Sequence, residues 1–137
     1  MNFTQIPNPT KAILITQSVA MLMGASTHLI WVVQNGFLSD KYNAPLLSSV
    51  FWDSLTFLDP LAAILLIAKP IKGLYLTLVI ITLDIIHNNV YYFDEFYMSG
   101  IGVGEWVLRY WMILGQLIFA LFVYLTLKRN LKVLRFN

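Results

Sequence analysis

From Ala12 to Ser39 the chain runs for 28 residues without an Asp, Glu, Lys or Arg, and from Tyr110 to Leu127 it does so for another 18. A helix crossing a hydrocarbon core about 30 Å thick takes roughly 20 residues, so each run suffices for a membrane span. Composition agrees: of 137 residues 58% are hydrophobic and 12% charged, and the mean hydropathy is +0.71. A soluble domain carries about a quarter charged residues. These figures exclude a disordered chain or solvated charged tail, and the absence of cysteine excludes a disulfide-stapled scaffold.

Two further spans are less clean. Leu47 to Ala68 contains Asp53 and Asp59, and Gly73 to Phe93 contains Asp84, yet their lengths and flanks still read as helices. Lys69, Pro70, Lys72 and Gly73 form a tight turn between them, with proline and glycine where a helix stops and restarts. The predicted fold is all-α: a single polytopic domain over 1–137, a four-transmembrane-helix bundle with short loops. Its helices are predicted over about 12–33, 47–68, 73–93 and 106–127, with a basic tail over 128–137. A signal peptide is the alternative for the first segment, but the apolar run continues through Leu29, Ile30, Trp31, Val32 and Val33, past a usual h-region.

The net charge of +2 conceals a strong polarity. Alternate crossing collects Lys11, Lys69, Lys72, Lys128, Arg129, Lys132 and Arg135 at one end, a charge of +7 with no acid. Lys41 and Arg109 fall in the other half with Asp40, Asp53, Asp59, Asp84, Asp94, Glu95 and Glu105, a charge of −5. Cytoplasmic loops carry the Lys/Arg excess, so both termini are expected in the cytoplasm, in an inner or plasma membrane. The basic C-terminal stretch reads as an orientation signal and solvated tail, or as a short amphipathic helix on anionic headgroups. A nucleic-acid partner is not expected.

Ionisable side chains at bilayer depth are costly and are functional candidates by default. At a rise of about 1.5 Å per residue, Asp84 lies roughly 13 Å and His87 roughly 9 Å below the outer end of the third helix. His28 and Asp53 come out at similar depth, Asp59 and Gln116 near the midplane, and Arg109 just inside the boundary. Asp84, His87, Asn88 and Tyr91 share one helical face. Glu105, Arg109, Met112 and Gln116 make a second stripe, and Gln17, Gly24, His28 and Trp31 a third. Asp59 is rotated away from Asp53 and Thr56, so all three face one cavity only if it wraps the second helix or the helix kinks at Pro60. Gly24 and Gly115 read as sites of close helix packing. All four tryptophans, Trp31, Trp52, Trp106 and Trp111, lie in the acidic half, with Phe51, Tyr91, Tyr92, Phe93, Phe96, Tyr97 and Tyr110. An interfacial belt would place aromatics at both surfaces.

The leading expectation is an outward-facing polar and aromatic intramembrane cavity that binds a small amphiphilic or lipid-like ligand. Carboxylates at its floor would favour a cationic head. Asp84 and His87 are the candidate acid/base pair: an Asp bonded to one imidazole nitrogen fixes the tautomer and leaves the other nitrogen to move a proton. Candidate ligand-binding residues are His28, Asp53, Asp59, Asn88, Tyr91, Glu105, Arg109 and Gln116. Single residues also have structural readings, such as a local Glu105–Arg109 ion pair or interhelical hydrogen bonds from Gln17 and Gln116. Whether the site transforms its ligand stays open, and the cofactor is left unknown. Three alternatives remain: a proton-coupled transporter or channel component using Asp59 and Asp84; a bis-His haem or metal protein using His28 and His87, with Asp84; and a structural subunit of a membrane complex. Expected partners are the lipid bilayer and a small amphiphile, with a homo-oligomer or partner subunit left open.

In outline, four helices with acidic and aromatic residues around an intramembrane cavity resemble the sterol-isomerase and sigma-2-receptor type of membrane fold. Small DoxX-like proteins are similar in size and topology. The resemblance implies that such a pocket is physically feasible, and it carries no residue roles to this chain.

Overall fold

The computed structural model describes residues 3–92 and 100–136. Four long helices dominate it: α1 (Asn8–Asn35), α2 (Leu46–Ala68), α3 (Pro70–Tyr91) and α4 (Val103–Phe136). Each is long and apolar enough to cross a membrane. Short 3-10 turns occupy Phe3–Gln5 and Asp40–Tyr42. The predicted end of the third helix at Phe93 lies outside the described residues, as do Asp94, Glu95, Phe96 and Tyr97.

Proline sets the helix starts. Pro9 and Pro70 occupy first-turn positions, where a missing N–H costs nothing, and Pro45 caps α2. Gly36, at φ 84°, ends α1 with its N–H on the Val32 carbonyl. Inside α2, Pro60 frees the Thr56 carbonyl, yet the helix runs unbroken from Leu46 to Ala68.

Each helix packs on its sequence neighbour, α1 on α2, α2 on α3 and α3 on α4, while α1 and α4 meet only briefly. Small residues close the first two seams. Ser18 donates to the Ala63 carbonyl at 3.0 Å, and Gly24 faces Asp59 so closely that a Cβ there would stand 2.8 Å from its Oδ2. At the α2–α3 turn, a Cβ on Gly73 would collide with the backbone of Leu65 and Leu66. The third seam is a row of polar and aromatic rungs: Tyr92 against Tyr110, Asn88 on Gln116 (3.0 Å), Thr82 with Tyr124 (2.6 Å) and Arg135 on Tyr75 (2.8 Å). Leu14, Leu66 and Leu74 fill the core towards the basic end, all fully buried. Large apolar side chains such as Val33, Leu47, Leu108, Ile118 and Leu125 point outward, a contiguous greasy surface that a water-soluble monomer does not carry.

Two expectations need correction. The basic stretch is helical rather than an irregular tail: α4 continues through it to Phe136, burying Asn130 and Leu134 while Lys128, Arg129, Lys132 and Arg135 stay exposed, as the amphipathic-helix alternative has it. Gly115 has nothing within 4 Å of the position a Cβ would take, so unlike Gly24 it serves no close packing.

Candidate functional site

Because α1 and α4 are the two ends of an open row of helices, the gap between them is the one seam that chain connectivity does not close. Towards the basic end it is clasped by Gln17 Nε2 donating to Thr126 Oγ1 at 3.2 Å. Towards the aromatic end the helices part around a cavity of about 410 Å³. Thr27, His28 and Trp31 of α1 form one wall, and Arg109, Tyr110, Met112, Ile113 and Gln116 of α4 the opposite one. Trp52, Asn88 and Tyr92 close the back, and Lys41 and Tyr42 of the first loop cover the top. At Tyr110 the backbone leaves helical geometry (φ −117°, ψ 24°), bending α4 at the cavity.

The aromatic residues form a continuous row. Ring centroids lie 4.8 Å apart from Trp31 to Tyr42, 5.2 Å to Trp52, 4.9 Å to Tyr91 and 4.7 Å to Tyr92. The row ends at 6.2 Å on Tyr110 and a further 5.7 Å on Trp106. Tilted and edge-on contacts of this kind are favourable beyond the area they bury. Behind the row, Asn88 is a junction. Its amide donates to Asp84 Oδ1 (3.1 Å) and Gln116 Oε1 (3.0 Å), and its oxygen accepts from Trp52 Nε1 (3.1 Å). One side chain thereby ties α2, α3 and α4 together.

Of the sequence-predicted residues, His28, Asn88, Arg109 and Gln116 line the cavity. The others have different placements. Both oxygens of Asp53 hold the first loop: Oδ2 accepts from the Leu38 N–H and Oδ1 from the Tyr42 hydroxyl, each at 2.6 Å. Leu38 sits at φ 53°, and the charge-assisted bond offsets the strain of that left-handed conformation. Burial, followed by the hydrogen bond to Asp53, raises the Tyr42 hydroxyl above the ordinary tyrosine range. Tyr91 latches the same loop through the Asn43 carbonyl at 3.1 Å.

Asp59 is buried against Gly24, and its Oδ1 has no hydrogen-bond partner among the described residues. Asp84 is buried behind Asn88. His87 packs on Phe51 and edge-on to Trp52, with its Nε2 unpartnered. The hydrogen-bonded Asp84–His87 dyad is therefore not formed: four residues along the helix, the Asn88 amide competes for the carboxylate and takes it. Glu105 pairs with Arg109 at 3.1 Å, with both side chains about half exposed, where such a pair contributes little stability. Among the described residues no group of three His, Asp or Glu side chains comes together as a metal site.

The carboxylates expected at the cavity floor are set back from it, and the formally charged side chains that reach the lining are Lys41 and Arg109. Lys41, Tyr42 and Trp52 did not stand out in the sequence as site residues. The first two lie in a loop, where no periodicity assigns a face. Trp52 adjoins Asp53, and that pairing was the available signal. Compared with known proteins, the chain matches no family model, no curated protein and no solved structure.

Proposed function

We propose that this is a multi-pass membrane protein whose α1–α4 cavity binds a small amphiphile reaching it sideways from the lipid. The observation that carries the reading is the position of the cavity on the open seam. Met112 in its wall and the adjacent Leu108 are exposed to the outside, whereas Gln116 offers a polar partner inside. Such a graded path suits a molecule with a polar head and an apolar body, and the volume lies within the usual range of about 300 to 1,000 Å³ for small-molecule pockets. By the excess of basic residues, the termini and the α2–α3 turn lie in the cytoplasm. The cavity then opens in the outer half of the bilayer.

The reading is one of binding. The groups at the cavity are hydrogen-bonding amides, aromatic faces, cations and the single imidazole of His28, and the carboxylates Asp53, Asp84 and Glu105 are engaged in structure. A filling variant provides the test. Thr27 and Ile113 face each other's helices across the gap, and Thr27→Trp or Ile113→Trp occupies the space without touching the Asn88 junction. Mass spectrometry of protein purified in mild detergent is expected to find an amphiphile on the wild type that both variants lose. An identical lipid profile on all three proteins overturns the proposal.

A further inference from the structure

Resting on that reading, we propose that the head accepted by the cavity is an oxyanion on a single chain, a carboxylate or a phosphate monoester, rather than a cation. The charges that reach the lining carry the argument. Lys41 and Arg109 are both there, and among the described residues no carboxylate is.

Four of the acids around the cavity are withheld by specific geometry. Asp53 spends both oxygens on the first loop, Asp84 lies behind the Asn88 amide, Asp59 faces Gly24, and Glu105 is bound to Arg109. The Lys41 ammonium, exposed at the cavity top, has no partner among the described residues. Gln116 points the same way: its oxygen is taken by Asn88, which leaves its two N–H groups as donors for an acceptor-rich head. The aromatic row by itself would favour a quaternary ammonium. In a partly desolvated site, however, the unbalanced Lys41 ammonium at the cavity top repels such a head, while Arg109, paired with Glu105, adds no negative charge to attract it. Size restricts the body: at about 410 Å³ the cavity falls in the lower part of the pocket range, enough for one chain and short of a two-chain lipid.

Two of the four tryptophans, Trp31 and Trp52, line the cavity, so chain-brominated amphiphiles report occupancy by quenching. The full-length protein carrying Trp106→Phe and Trp111→Phe is placed in nanodiscs. Single-chain quenchers with carboxylate, phosphate, hydroxyl or trimethylammonium heads are compared at equal mole fraction in the bilayer. Saturable quenching by carboxylate or phosphate is expected at about tenfold lower mole fraction than by the alcohol, with trimethylammonium weakest. The better of the two anions identifies the head. Lys41→Gln with Arg109→Gln should bring the anions to within about twofold of the alcohol, and an anion preference that stays near tenfold in this variant overturns the assignment of the head to these residues. Alcohol or ammonium quenching at equal or lower mole fraction than both anions overturns the inference but leaves the binding reading intact. If no head gives saturable quenching, the binding reading itself fails.

Discussion

The α1–α2 and α2–α3 seams differ from the α1–α4 seam in what occupies the space between backbones. In the first two, glycine, alanine and serine let the helices approach until a single added methyl collides with a neighbour. Between α1 and α4 there is one hydrogen bond at the basic end and a cavity above it. Burial follows the same division: 44% of the apolar stretch of α2 is buried, against 17% for α4. Where lipid is as apolar as leucine, helices associate through close packing and interhelical hydrogen bonds. Above the Gln17–Thr126 bond the α1–α4 seam shows neither among the described residues, and that stretch stays open.

Substitutions break or sharpen this contrast in a graded way. The largest effect is expected at the tightest seam: Gly73→Ala drives a methyl into the α2 backbone and should cost about 3 kcal/mol, measured by unfolding in mixed micelles. A wild-type midpoint would show that the α2–α3 turn is loosely packed after all. Gly115→Ala is expected to do the opposite. With open space around it, the alanine removes the backbone entropy of a helical glycine and should stabilise by up to about 1 kcal/mol; a loss of stability would mean that α4 is covered there. The smallest change is expected from Gln17→Leu. Removing the clasp to Thr126 should cost only about 0.6 kcal/mol, but it should widen the distance distribution between spin labels at Ile30 and Leu117, which are both lipid-exposed. An unchanged distribution would assign closure of the gap to other contacts.

The helices were legible because uncharged runs and flanking prolines are local properties. Their extents were less so: α1 begins at Asn8 and α4 ends at Phe136, since a helix continues beyond the hydrophobic run when its polar turns still find neighbours, as Arg135 does on Tyr75. Within the site, Asn88, Gln116, His28 and Arg109 follow from helical periodicity. Asp53, Asp59 and Asp84 do not reach the cavity, because periodicity tells which residues share one helix face but not how each helix is rotated against the next. Competition among neighbours is also invisible at that level. His87 and Asn88 are equally plausible partners for Asp84 by spacing, and the packing of His87 between Phe51 and Trp52 decides the outcome.

The length of α4 has a consequence for how the molecule sits in its membrane. Its 34 residues measure about 50 Å at the usual rise, well beyond a hydrocarbon thickness of about 30 Å. The surplus lies mostly at the basic end, where Lys128, Arg129, Lys132 and Arg135 suit a headgroup layer and Arg135 moors the helix to α3. With one end fixed, a change in bilayer thickness is taken up at the other, where the bend at Tyr110 and the cavity mouth stand. A thicker membrane covers that mouth with acyl chains, and a thinner one raises it towards the headgroups. On the proposed binding reading, the composition of the bilayer would then act as a setting on access to the cavity.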